Sequence, residues 1–251
     1  MKKYIIYIII LLIGWNLQAQ VVLSDKNYIH TTVPQTALTI AEMENVNCST
    51  INDIDRAIES VTYFDGLGRP IQERAIKASP NGKDIVSHIE YDAYGRQAKQ
   101  YLAFEASNTV GSYKDVNVNT DINQYYKDTY ADDFPGITDL TQINAYSESL
   151  FDGSPLNRVI KVGAPGTAWK ANPSSDADHA IKTDWYTNTA NEVVCFKVDF
   201  ADPNDTETPS LVTDGHYAEN QLYITITQDE NWTPADGNNH TAKEYKDKQG
   251  R

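Results

Sequence analysis

From Ile58 onward the chain alternates apolar and polar positions in short runs separated by turn residues, the period of half-buried strands. IESVTYFD is the first run. Pro70 to Ala78 is the second, closed by Ser79-Pro80-Asn81-Gly82, and Asn-Gly is a strong hairpin signal. Asp84 to Tyr91 gives a third strand, Asp92-Ala93-Tyr94-Gly95 a turn, and Gln97 to Phe104 a fourth strand. Residues 58–104 therefore read as an antiparallel β-meander. Upstream, VVLSDKNYIHTTVPQTALT is extended and rich in β-branched residues. AEMENVNCSTINDIDRA has room for a short helix, but its Asn, Ser and Asp favour turns.

Residues 105–150 break the alternation. They are rich in Asn, Asp, Tyr and Thr, with an acidic stretch TYADDFPG and room for helix, for example near TDINQYYKD. This segment reads as a loop-rich insertion capping the sheet. Strand patterning returns at Arg158–Val162, HAIKTDWYTN, NEVVCFKVDF and Leu222–Thr227, with ADPNDTETPS as a loop. Leu is sparse while Tyr, Thr, Val and Ile are common, so the fold class is mainly β, built of antiparallel hairpins. The expected division is 1–19, 20–57, 58–150 and 151–251.

The first twenty residues are of another kind. Lys2 and Lys3 precede an apolar run from Tyr4 to Trp15, and Ala19 sits at a cleavage position before Gln20. This is the layout of a secretory signal peptide, and the run is too short for the roughly 20 residues of a membrane span. The expectation is a secreted or cell-surface protein without a transmembrane segment once the leader is cleaved. In that compartment Cys48 and Cys195 are candidates for a disulfide, although Cys195 in VVCFKV also fits a buried thiol. A net charge of −14, with 35 acidic against 21 basic residues, repels phosphate and disfavours nucleic-acid partners.

One phrase recurs. Tyr63-Phe64-Asp65-Gly66-Leu67-Gly68-Arg69, Tyr91-Asp92-Ala93-Tyr94-Gly95-Arg96 and Tyr245-Lys246-Asp247-Lys248-Gln249-Gly250-Arg251 each place Gly three residues after Asp, with Arg next. Asp at the head of a turn hydrogen-bonds the backbone ahead of it, and Gly accepts the conformation that leaves the turn. The preceding aromatic packs on the sheet, and Arg reaches back to Asp or to a neighbouring strand. These residues point to structure, not catalysis.

With those phrases the sequence resembles the RHS/YD-repeat family, whose units are built around Tyr-Asp-x-x-Gly-Arg within a β-hairpin. NYIHTTVPQ, ESVTYFDGLGRPIQ and GKDIVSHIEYDAYGRQAKQYL resemble the amino-terminal domain, of unknown function, of exported RHS-repeat proteins of Bacteroidota. FDGSPLNRVIKVGAPGTAW and HTAKEYKDKQGR resemble the continuation of such proteins. The first copy departs from the simple phrase by inserting Phe64, and a long tandem run is absent. The resemblance implies the front part of a larger β shell, in some proteins enclosing a carboxy-terminal toxin. The partners would be downstream repeats and that toxin, and the last copy, ending within a hairpin, gives the same expectation of a longer protein.

Other chemistry has little support. His30, His88, His179, His216 and His240 form no metal-binding spacing. No GxSxG elbow occurs, and Gly66-Leu67-Gly68 lacks the third glycine of a nucleotide fingerprint. No cofactor is expected. Calcium is the one ion left open, through Asp132-Asp133, Asp176-Asp178 and Asp199-Asp202-Asp205, none of which follows EF-hand order. Trp169, Trp185 and Trp232 are candidates for a carbohydrate-stacking face, though such aromatics more often fill a sheet core. The sequence thus favours a non-catalytic structural module. A surface adhesin or carbohydrate-binding module with a glycan or surface partner is the alternative, and a secreted hydrolase the second.

Overall fold

The structure is a computed structural model that describes residues 21–44, 46, 55–107, 109–202 and 207–251. The expected cleavage site at Ala19-Gln20, Cys48 and Asp205 lie outside them. The chain divides into two compact units, Met1–Tyr146 and Ser147–Arg251. The described residues are mainly β, and the strand pairings are antiparallel.

The first unit runs β1 (Asn27–Pro34), α1 (Ile40–Glu44), β2 (Ala57–Phe64), β3 (Pro70–Ala75), β4 (Ile85–His88), β5 (Lys99–Tyr101) and β6 (Phe104–Glu105). Its sheet has the order β1-β2-β3-β4-β6. Strand β2 shows why the meander forms: Ala57, Glu59, Val61 and Tyr63 are all buried while the residues between them are not. Strand alternation puts that set on one face. Three strands are shorter than the sequence suggests. The second run ends at Ala75 because Lys77 takes φ 46° and turns the chain. The third stops at His88, after which Ile89 N–H bonds back to Ile71. The fourth is broken into β5 and β6 because Leu102 N–H bonds to Ala145 of the insertion.

The insertion is a cap on this sheet. A π-helical turn (Val118–Asn123) leads into α2 (Gln124–Thr129), and Asn117 caps it by accepting the N–H groups of Asn119 and Thr120 at 3.1 Å each. Ile122 and Ile143 pack on Val86 and Phe104 with almost no exposure. Full burial of one such side chain contributes about 1.5–3 kcal/mol.

The second unit continues with β7 (Tyr146–Phe151), β8 (Val159–Gly163), β9 (Ala180–Thr187), β10 (Val194–Phe200), β11 (Pro209–His216), β12 (Tyr223–Gln228) and β13 (Thr241–Lys246). Its sheet runs β13-β12-β9-β8-β7, and β10–β11 form a separate hairpin inserted between β9 and β12. Asn188, fully buried, ties the root of that excursion: its Oδ1 accepts Leu222 N–H at 2.7 Å and Gln221 N–H at 3.0 Å. The VVCFKV run does not enter a core. Val194, Phe196 and Val198 are exposed on β10, and Cys195 is a half-buried free thiol.

Candidate functional site

The recurring phrase folds into one clamp, built three times. Asp65 N–H donates to Arg69 O at 2.9 Å, and its Oδ1 accepts Leu67 N–H and Arg69 N–H, both at 2.9 Å. Its Oδ2 takes the Arg69 guanidinium at 2.8 Å from Nε and 2.7 Å from Nη2. Asp92 repeats the backbone bonds and the Nε bond with Tyr94 and Arg96, and Asp247 repeats them with Gln249 and Arg251, the latter also through Nη2. Gly68, Gly95 and Gly250 sit at φ 77°, 77° and 81°, a region that disfavours other L-residues. The Arg69, Arg96 and Arg251 backbone N–H groups, more than any other contact, hold the Asp65, Asp92 and Asp247 carboxyls below their ordinary range.

Two further clamps escape a search for Asp-x-x-Gly-Arg. Asp152 closes on Arg158 across β7 and β8: N–H to O at 2.9 Å, Nε to Oδ2 at 2.8 Å, with Ser154 N–H on Oδ1. Asp229 closes on His240 between β12 and β13, with His240 Nδ1 3.0 Å from Oδ2 and Asn231 N–H on Oδ1. The only sequence sign is Asp directly after a strand with Arg or His some residues on. The loop inside grows, and the bond from the Asp N–H to the closing carbonyl stays at 2.9 Å.

The first two clamps are joined. The Arg69 guanidinium lies over the Tyr91 ring at 4.3 Å, and Tyr91 OH donates to Pro70 O at 3.0 Å. A cation on an aromatic face is attracted by the ring quadrupole. Tyr63 does something else: it is buried, accepts Ser24 N–H and donates its OH to Gly111 O at 2.6 Å. Tyr245 donates to Glu192 at 2.8 Å. The three tyrosines therefore share a place in the phrase but not a partner.

Beneath the clamps, each unit buries a cation that fastens irregular backbone. In the first, Arg74 and Asp84 are almost wholly buried; Asp84 Oδ2 takes Arg74 Nη2 and Gly111 N–H, each at 2.7 Å, and Arg74 Nη1 donates to Ser112 O. In the second, Lys161 Nζ donates to Asn172 O at 2.9 Å and Ser175 O at 2.7 Å and pairs with Asp176 and Asp178. Lys182 joins Asp178 at 3.2 Å and donates to two carbonyls. Burial pushes the Asp178 carboxyl up, but the Asn172 amide and the two ammonium groups outweigh it and hold the pKa down. These lysines and Trp232 line a cleft of about 380 Å³ in the second unit.

The acids weighed as calcium ligands thus take protein cations at Asp176 and Asp178. Among the described residues no group of three or more His, Cys, Asp or Glu is placed to hold a metal ion. No helix among them is long and apolar enough to cross a membrane. Cys195 is free, while Cys48, its expected partner, lies outside the described residues. Trp232 donates to Gly237 O inside the fifth clamp, Trp185 lies under Arg158, and Trp169 is exposed beside His179.

No curated protein and no solved structure matches the chain. One protein family does, over residues 36–183, a span holding the first two clamps, the Asp152 clamp and the buried Arg74–Asp84 pair. The match covers more than half of the sequence, and the chain belongs to the family described as Domain of unknown function (DUF6443).

Proposed function

We propose that this chain is a non-catalytic structural module of a secreted or cell-surface RHS/YD-repeat protein of the Bacteroidota type. It forms the front part of a β shell, with downstream repeats and, in toxin-bearing forms, a carboxy-terminal toxin as its partners. The observation that carries this reading is the repeated clamp: Asp65, Asp92 and Asp247 make the same set of bonds, and each spends its carboxylate on its own arginine. Carboxylates so used fix hairpin ends instead of meeting a substrate.

The test is to locate the native polypeptide with an antibody against this chain. The expected result is a species in the medium or on the cell surface that begins at Gln20 and is much larger than 28.1 kDa. A cytosolic species retaining the leader would overturn the reading. A surface adhesin is the second reading, favoured by Ile160, Ile181 and Tyr223, all exposed on one face of the second unit's sheet. Saturable binding of the purified chain to host or cell-wall glycans is the outcome that would put it first.

A further inference from the structure

Three arginines of this chain are disposed in one recurring way: the guanidinium lies on an aromatic ring while a carboxylate holds its edge. Arg69 lies on Tyr91 and is held by Asp65; Arg96 lies on Tyr94 at 4.9 Å, held by Asp92; Arg158 lies on Trp185 at 4.7 Å, held by Asp152. A groove of about 410 Å³ in the second unit is lined by the same two residue types, an aromatic and an acid, with no arginine of this chain among its lining residues. Val162, Trp169, His179, Ile181 and Glu230 line it, with Gly163 at its floor. Trp169 is 38% exposed, and no cation lies on its ring among the described residues. Glu230 is half-buried, and its carboxylate joins no ion pair and accepts no hydrogen bond among them.

The groove is built, not incidental. A Cβ on Gly163 would stand 2.6 Å from Ala171 N and 2.9 Å from Trp169 O, so only glycine lets the Trp169 segment lie this close to β8. His179 Nδ1 donates to Glu230 O at 3.1 Å, and its ring sits 5.3 Å from Trp169, fixing the wall between aromatic and acid.

We propose that this groove binds an arginine side chain of a partner polypeptide, stacked on Trp169 and paired with Glu230. Charge decides against an anion, since the site carries Glu230 on a chain of net charge −14. A sugar ring would bring hydroxyls that need several partners, and beside Trp169 only Ser147, His179 and Glu230 of the lining carry polar side chains, His179 already bonded to Glu230 O. Arginine fits because its guanidinium is flat, weakly hydrated and always charged, with an aliphatic stem suited to the apolar floor.

The experiment titrates the ¹⁵N-labelled full chain with N-acetyl-arginine methylamide and, separately, with the neutral isostere N-acetyl-citrulline methylamide, following the tryptophan indole signals. Arginine is expected to move the Trp169 signal saturably while those of Trp185 and Trp232 stay put, and citrulline to bind about fivefold more weakly, the size of a partly exposed cation–aromatic and ion-pair contact. Glu230→Gln is expected to remove the preference without moving the Trp185 and Trp232 signals. A still Trp169 signal, equal binding of the two ligands, or a preference that survives Glu230→Gln would each overturn the proposal.

Discussion

Arg96–Asp92 and Arg74–Asp84 lie in the same unit and use the same two functional groups, yet they differ in almost everything else. The first pair is four residues apart, a quarter exposed on each side, and Asp92 accepts the Tyr94 and Arg96 N–H groups of its own turn. The second spans ten residues, is 0% and 1% exposed, and reaches Gly111 and Ser112 in a distant segment. An exposed pair gains little because water screens it, so its worth lies in choosing the turn. A buried pair has already given up its hydration, and losing one partner strands the other in a medium that cannot solvate it.

Substitutions should separate the two regions. Asp84→Ala leaves the Arg74 guanidinium buried without its partner and releases Gly111 and Lys77 N–H. A loss of about 3–5 kcal/mol is expected, read as a fall in the urea midpoint. Gly95→Val forces a β-branched residue into φ 77° and brings its Cβ to 3.3 Å from Arg69 Nη1. About 1–3 kcal/mol should be lost, whereas Gly153→Ala, in open space within the longer Asp152 clamp, should stay within about 0.5 kcal/mol. If Gly95→Val were as stable as Gly153→Ala, the clamp would not depend on its glycine.

Smaller is the coupling between Arg69 and Tyr91. A double-mutant cycle with Arg69→Gln and Tyr91→Leu is expected to give about 0.5–1 kcal/mol, and zero coupling would mean the first two clamps stand independently. Smallest and most diffuse is the response to acid. Asp65, Asp92, Asp152, Asp229 and Asp247 all have lowered pKa values in the fold. Groups depressed on folding contribute stability that is present above their unfolded value, about 3.9, and lost as pH falls through the folded value. Urea midpoints should thus hold from pH 7 to about 5 and fall below about pH 4, less steeply in an Asp65→Asn, Asp92→Asn double variant.

What sequence reading recovers follows the range of the forces. The alternation of Ala57–Phe64 and of Tyr223–Gln228 shows in the sequence because one face of each strand is buried, and the three short clamps because every bond lies within five residues. The breaks at His88 and Leu102 are set by contacts from elsewhere in the first unit, which periodicity does not record. Arg74, Lys161 and Lys182 look like ordinary solvent-facing charges in their strands. Only the fold shows them buried, each answering the backbone of an irregular segment. VVCFKV fails in the opposite direction: an apolar run that the fold leaves on an exposed hairpin. The Trp169 groove joins residues far apart along the chain and had no signature beyond an exposed-looking tryptophan.

The clamp's indifference to what it encloses has a practical side. Asp152 and Arg158 close over five residues and Asp229 and His240 over ten, with the same bond from Asp N–H to the closing carbonyl at 2.9 Å. Leu156 stands 72% exposed within one such loop, and Leu67 and Tyr94 about as far out in two short ones. Between β12 and β13 the pairing runs unshifted up to Gln228 and Thr241 although ten residues lie inside the clamp. Each clamp is therefore a ready-made port for foreign sequence, where an epitope or affinity tag can be grafted and where lineages can lengthen a loop without redrawing the sheet.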